Sequence, residues 1–350
     1  MTGPQTSVPA ANSSPPGRAG LAAEGASPPE PSPPEPSLPK LPLPKLPLPK
    51  LPLRGTWGTV LLPVRPDDQI DFDLLETELD ELLRVGLAGI YTCGTAGEFH
   101  TLEETEFDAL SELVATKCQN VGSPFQIGAS HMSGQLCLSR IRRARQLGPA
   151  AIQVVLPDWL PLGPPEVHAA IERMVAVADP VPLVLYNPPH AKTLCGLEQF
   201  AALAEEFPGL IGVKIARDNA FYSQLHTAAP GLAIFVPGHE LADAWRHGAS
   251  GSYSNVACLG PNGALEWEKK MTQDPDAAVA FGERIMAFFK RHIAPLQAQG
   301  YSNPALDKTL AAIGDWAPVG TRVRWPYASV PAEVISSLRP VAQAALPEMF

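Results

Sequence analysis

Long apolar runs, paired cysteines and clustered basic residues are all missing from this chain, and each absence removes a class of protein. No stretch of eighteen or more apolar residues occurs in its 350 residues, which argues against a membrane-spanning helix. The first residues carry neither the charged start nor the apolar core of a signal peptide, so a cytoplasmic protein is expected. The five cysteines (Cys93, Cys118, Cys137, Cys195 and Cys258) are scattered, with no C-x-x-C pair and no Cys/His cluster at metal-ligand spacing. Reduced thiols fit that pattern and a zinc site does not. The net charge is −10, and the globular part lacks the grouped Lys and Arg that a phosphate backbone demands. With nucleic acid and membrane set aside, a small-molecule partner is the expectation that remains.

Proline, by contrast, is abundant and unevenly placed. Residues 1–54 hold 16 of the 40 prolines, including the run LPKLPLPKLPLPKLPL from Leu38 to Leu53, a five-residue unit repeated. Each proline fixes φ and removes a backbone donor, so this stretch is expected to be a disordered, polyproline-II-like extension with no chemistry assigned to it.

From Gly55 onward the pattern changes to short apolar runs alternating with amphipathic segments. Strands are expected near 56–64, 87–93, 125–130, 150–156, 181–186, 210–216, 232–237 and 250–255. Helical periodicity lies between them, as at 72–86, 102–118 and 133–148. Strands apolar throughout and joined by helices must be parallel and covered on both faces. Eight such units over about 200 residues point to a (β/α)₈ TIM barrel, an α/β fold. The doubly wound alternative lacks its glycine-rich turn, since RPDDQID follows the first strand. Helical pattern continues at 276–300, 303–314 and 331–346. The expected organisation is therefore a barrel over 55–257 and a C-terminal helical subdomain over 258–350.

In such a barrel the chemistry sits at the C-terminal strand ends. Lys214, in LIGVKIA, places an ammonium among Ile211, Val213 and Ile215, where burial is costly unless the amine gives up its proton. A lysine made neutral in this way is a nucleophile toward a ketone. The competing reading is a lysine whose stem packs while its head reaches solvent at the barrel mouth. Tyr186 ends the preceding strand, in LYNPPHAK, where two prolines stop the ladder and leave the phenol within reach of Lys214 for proton transfer. In CGTAGE (93–98), Gly94 and Gly97 allow a tight turn whose N–H groups can cradle a carboxylate, and Thr95 offers a hydroxyl. The plainer reading is a βα loop in which Glu98 and Glu103 serve the start of the next helix.

The set GTAGE, YNPP and GVKIA, in this order on successive barrel strands, resembles the family of dihydrodipicolinate synthase and N-acetylneuraminate lyase, which are Schiff-base class I aldolases. The resemblance covers residues 55 to about 350. It implies that Lys214 forms an imine with a pyruvate-like 2-oxo acid and that Tyr186 is the general acid/base. It further implies that Thr95 relays protons to Tyr186, that Gly94 and the N–H groups of Thr95 and Ala96 hold the substrate carboxylate, and that Tyr253 lines the pyruvate pocket. No metal or cofactor is implied, because the protonated imine is itself the electron sink, and a homotetramer or homodimer is.

Three departures shape the expected activity. Ala96 stands where family members usually carry a second hydroxyl residue, and Asp158 and Trp159 stand where the synthases carry two tyrosines. An indole cannot pass a proton as a phenol can. His190, Ala191 and Lys192 occupy the stretch in which the synthases carry an arginine for the partner's carboxylate; Lys192 is the point-charge candidate to replace it, its plainer reading being a solvated loop lysine. These differences favour a lyase, aldolase or dehydratase, acting on a pyruvate-like 2-oxo acid or a 3-deoxy-2-oxo sugar acid, with Asp158, His131, Lys192 and Trp159 candidates for the distal part. A 4-hydroxy-tetrahydrodipicolinate synthase and a catalytically inactive sensor barrel are the alternatives. A metal-dependent aldolase would need histidine and acidic ligands at strand ends, which the scattered histidines do not supply.

Overall fold

The computed structural model describes residues 53–350. The expected proline-rich extension lies, up to residue 52, outside the described residues. Eight strands, β1 (Gly55–Thr59), β2 (Gly89–Thr92), β3 (Phe125–Gly128), β4 (Ala151–Val154), β5 (Leu183–Tyr186), β6 (Leu210–Lys214), β7 (Ala233–Pro237) and β8 (Gly251–Tyr253), pair in parallel and in chain order. β8 returns to pair with β1, which closes the barrel. The expected (β/α)₈ barrel is what forms.

The helices between strands are α1 (Phe72–Val85), α2 (Glu104–Val121), α3 (Gly134–Ala144), α4 (Pro164–Ala178), α5 (Leu197–Glu206), α6 (Asn219–Ala228) and α7 (Leu241–Arg246). After β8 come α8 (Asn255–Leu259), α9 (Pro261–Gln273), α10 (Pro275–Phe288), α11 (Ala294–Ala298), α12 (Asn303–Gly314) and α13 (Ala332–Ala345). α8 runs across residue 257, and α9 packs on β1 and α1. The single helical pattern read over 276–300 is interrupted by a π-helical segment at Phe289–Ile293. Pro295 explains it: with no N–H and a ring that collides with the preceding turn, proline forces the backbone to absorb an extra residue just before it.

β1 also ends earlier than its apolar run suggests. The Val60 N–H still donates to the Tyr91 carbonyl at 2.9 Å, but the Leu61 N–H donates to Glu78 Oε1 of α1 at 2.7 Å instead of to a neighbouring strand. Glu78 is fully buried, and burial pushes its carboxyl up to about 8.

Two apolar layers result. The larger lies between strands and helices, from Leu61 and Leu75 through Phe107, Ile141 and Phe200 to Ile285. The smaller fills the barrel interior and is aromatic, with Trp57, Tyr91, Phe235 and Tyr253 packed against Ala151, Val184 and Ala233. Small residues make room for those rings: a Cβ on Gly89 would lie 2.3 Å from the Trp57 indole. The interior is thus a packed core up to its C-terminal rim.

The C-terminal helices are joined to that rim by an ion pair. Glu98, at the end of the GTAGE turn, adopts a left-handed backbone (φ 51) and is completely buried. Its carboxylate accepts from Lys308 Nζ of α12 at 2.5 Å and from the Arg324 N–H at 2.8 Å. Lys308 is completely buried as well and also donates to the Arg322 carbonyl. The expectation that Glu98 and Glu103 both serve the next helix holds only for Glu103, which forms a capping box with Glu106 on α2. Truncating one partner of a buried pair strands the other charge, so Lys308→Ala is expected to lower unfolding free energy by about 3–5 kcal/mol. Denaturant titration checks this, with Glu98→Gln/Lys308→Met recovering much of the loss if the stranded charge is the cause.

Candidate active site

The register of β5 against β6 sets the site. It shifts between Leu183 and Val184, and from there Tyr186 lies directly opposite Lys214. Beyond that pair the chain must leave the sheet, because Pro188 and Pro189 cannot donate to a ladder. Asn187 makes the exit rigid: its backbone N–H donates to the Lys214 carbonyl at 3.0 Å, its side-chain amide donates to the Thr193 carbonyl, and its Oδ1 accepts from the Cys195 N–H. The buried asparagine thereby ties both ends of the 187–195 loop to the lysine strand.

Lys214 Nζ stands inside a ring of tyrosines. It lies 4.3 Å from the Tyr186 ring centroid, 5.2 Å from Tyr253 and 5.9 Å from Tyr91. Burial lowers the amine to about 8, with Asp307 and Cys258 acting in the other direction. A group at about 8 leaves roughly a tenth of the lysine neutral at pH 7, about 300-fold more than an ordinary lysine. The surrounding aromatic faces accept a cation when one forms. Burial pushes the Tyr186 phenol up to about 12, against the pull of the nearby Thr95 hydroxyl, so Tyr186 is a neutral proton donor near pH 7.

The other tyrosines are held from beneath by buried amides. Tyr91 donates to Gln153 Oε1, and Tyr253 donates to Gln126 Oε1 at 2.7 Å. Tyr253 therefore offers Lys214 its ring face while its hydroxyl is engaged below. The GTAGE turn closes over this layer. A Cβ on Gly94 would lie 2.3 Å from the Tyr91 ring, so glycine is required there by close approach. Glu98 N–H donates back to the Thr95 carbonyl and Phe99 N–H to that of Gly94, whereas the N–H groups of Thr95 and Ala96 donate to no protein group among the described residues.

A cleft of about 800 Å³, measured out to its solvent-open mouth, leads from Thr95 and Tyr186 to the surface. Asp158, His131 and His190 line it. Trp159 and Lys192 do not: the indole is 70% exposed, and Lys192 Nζ donates to the Trp159 carbonyl at 2.8 Å while lying 5.2 Å from that ring's centroid. The sequence-derived residues Lys214, Tyr186, Thr95, Gly94 and Tyr253 thus converge, the Ala96 side chain packs against the layer between strands and helices, and Trp159 and Lys192 form a separate pair on the rim. Sequence reasoning missed Asp307. This α12 carboxyl lies within electrostatic reach of Lys214, Tyr186 and Cys258, accepts no hydrogen bond among the described residues, and is pushed up to about 7 by burial. Its signal was an acid and a lysine side by side, Asp307 and Lys308, on an otherwise apolar helix. Also missed were Tyr91 and the two glutamines. Among the described residues no group of three or more His, Cys, Asp or Glu is placed to hold a metal ion, all five cysteines are buried and unpaired, and no helix is long and apolar enough to cross a membrane.

Fold and site together define a (β/α)₈-barrel protein with a lysine–tyrosine centre at the C-terminal strand ends. The chain belongs to the dihydrodipicolinate synthetase family, whose sequence profile matches residues 52–345. It is similar to 4-hydroxy-tetrahydrodipicolinate synthases of Sorangium cellulosum (30% identical over 177 residues, 49% of this chain and 57% of that one) and Rhizobium meliloti (27% over 239 residues, 65% and 79%). The match to the first of these spans a little over half of the relative's length. Among solved structures, a Ruminococcus gnavus sialic acid aldolase, a catalytic lysine mutant, superposes with a TM-score of 0.75 at 16% identity, covering 85% of this chain and 98% of that one. YagE, a dihydrodipicolinic acid synthase family prophage protein of E. coli K12 in complex with pyruvate, gives 0.74 at 19% identity, covering 83% and 98%. Both share the fold.

An anionic Asp307 favours protonated Lys214 and so raises its pKa; removing that charge must lower it. The pH midpoint for reaction of the Lys214 amine, followed by labelling with an amine-reactive reagent, is therefore expected near 8 in the parent protein and lower in Asp307→Asn.

Proposed function

We propose that this chain is a Schiff-base-forming lyase, an aldolase or dehydratase, acting on a pyruvate-like 2-oxo acid. The observation that carries the reading is the pairing of Lys214 and Tyr186 across β5 and β6, with the amine surrounded by aromatic rings and brought down to about 8 by burial. Family membership supports it, and so do the free N–H groups of Thr95 and Ala96, which suit the substrate carboxylate.

In this reading neutral Lys214 adds to the C2 ketone, Tyr186 delivers a proton to the departing carbinolamine oxygen, and water leaves as the imine forms. For aldol cleavage a base removes the C4 hydroxyl proton, the C3–C4 bond breaks, and its electron pair passes through C3 into the protonated imine to give an enamine and an aldehyde. Protonation at C3 and hydrolysis then return pyruvate and free lysine. For dehydration the intact substrate's protonated imine loses a C3 proton to give an enamine that still carries C4, which expels the C4 hydroxyl as Tyr186 protonates it to water; hydrolysis of the resulting unsaturated imine frees the product and the lysine. Thr95 hands protons to Tyr186 in both routes, and Gly94 lets the turn sit on the Tyr91 ring. The covalent imine serves as the electron sink, so no further cofactor is part of the reading.

The 4-hydroxy-tetrahydrodipicolinate synthase reading is less well supported, because Trp159 has no hydroxyl to pass a proton and Lys192 is held to the rim. A cytoplasmic homotetramer or homodimer belongs to the proposal; the exposed Trp159 (70%) and Leu160 (68%) are surfaces that a second subunit would cover.

Borohydride with pyruvate is expected to add one reduced pyruvyl group per chain, at Lys214, read by peptide mass spectrometry. Lys214→Ala should abolish the adduct, and an unmodified parent protein across pyruvate and longer 2-oxo acids sinks the reading. Tyr186→Phe is expected to slow trapping and turnover by about 10²- to 10⁴-fold, with folding unchanged by circular dichroism.

A further inference from the structure

The walls of the cleft beyond Tyr186 have a distinctive charge inventory. Six apolar residues, Phe99, Met132, Val155, Leu156, Pro188 and Ala191, line it, and most of the surface it presents is apolar. Among the described residues that line it, no lysine or arginine occurs, and the one formally charged side chain is an acid, Asp158. Asp158 is anchored in place, accepting the Lys192 backbone N–H on Oδ1 at 2.8 Å.

Two cations near the cleft are accounted for elsewhere. Lys192 is turned to the rim, its ammonium donating to the Trp159 carbonyl. Arg140 lies beneath the floor, fully buried, spending its guanidinium on Glu104 and on the carbonyls of Phe99, Ser130 and Leu102. Of the histidines in the walls, His131 is occupied at Nδ1 by the Ser133 N–H. Burial holds both His100 and His131 below the ordinary histidine range, Arg140 adding to the effect at His131, so neither supplies positive charge at neutral pH.

We infer that the cleft selects 2-oxo acids whose far end is uncharged and largely apolar, an alkyl or aryl group, and disfavours those ending in a second carboxylate. The chemistry is direct. A distal carboxylate would leave water for an apolar wall, find no cation, and face Asp158, whereas an alkyl or aryl group gains by burial against Phe99, Met132 and Leu156. The ring nitrogens of His100 and His190 remain for a single hydroxyl or aldehyde oxygen near the reacting carbons. This inference rests on Lys214 as the imine-forming residue, and the experiment separates the two.

The experiment is borohydride trapping of the full chain by 2-oxo acids of similar length, 4-phenyl-2-oxobutanoate, 2-oxopentanoate and 2-oxoglutarate, with pyruvate alongside; the readout is the concentration giving half-maximal adduct. Half-saturation by the phenyl- and methyl-ended acids is expected at concentrations about tenfold or more below that of the carboxylate-ended acid. Asp158→Asn keeps an oxygen acceptor for the Lys192 N–H and removes the charge, so it should shift the ratio toward the carboxylate-ended acid; Ala191→Arg, which places a cation in the wall, should shift it further. Equal or better trapping of 2-oxoglutarate by the parent protein, or a ratio unmoved by both substitutions, overturns the inference. Failure of every one of these acids, pyruvate included, to trap would instead overturn the lyase reading on which it rests.

Discussion

The buried pair of Glu98 and Lys308 is the contact through which the two halves of the site are held together. One carboxylate takes a hydrogen bond from the amine of α12 and another from the backbone of Arg324, and neither charge touches solvent. Removing two ions from water is costly, and the return here is geometric: the turn after β2 and the helix after the barrel are fixed to each other. That turn carries Thr95 and the free N–H groups, and the helix carries Asp307, one residue before Lys308. Arg324 extends the tie, gripping Glu106 of α2 and the Asp68 carbonyl. The C-terminal segment therefore functions as part of the barrel mouth.

Above that brace, the site works by controlling where charge can exist. Burial brings the Lys214 amine down to about 8 and keeps the Tyr186 phenol protonated, and the Asp307 carboxyl acts on both, favouring the charged amine and disfavouring the phenolate. Tyr91 and Tyr253 hand their hydroxyls to Gln153 and Gln126 below, which leaves aromatic faces beside the amine. An amine in such surroundings is easily made neutral and easily stabilised once it becomes an iminium, the two demands of imine chemistry.

Much of this was legible in the chain. Eight apolar runs of strand length, each followed by a helical period, leave few folds other than a parallel barrel, and a lysine among branched apolar residues is an anomaly visible in LIGVKIA. Tyr186 was recognisable because two prolines mark the strand end. The π-helical segment near Pro295 and the early end of β1 were not, because both depend on where single backbone groups find partners. Trp159 and Lys192 were read as pocket residues because they stand where the resembled synthases carry a tyrosine and an arginine, yet in the fold the loops that carry them bind each other at the rim.

The sequence by itself determined the barrel, the strand that carries the lysine and the neighbouring strand that carries the tyrosine, since periodicity and strand order are local properties that set which residues become adjacent. Tertiary structure alone decided that Lys308 would meet Glu98 across 210 residues, that Asp307 would join the lysine, and that the described residues lining the cleft would include an acid and no lysine or arginine. A helix pattern states that one face is apolar but not which part of the barrel that face will cover; that choice is made by packing, where distant side chains compete for the same buried space.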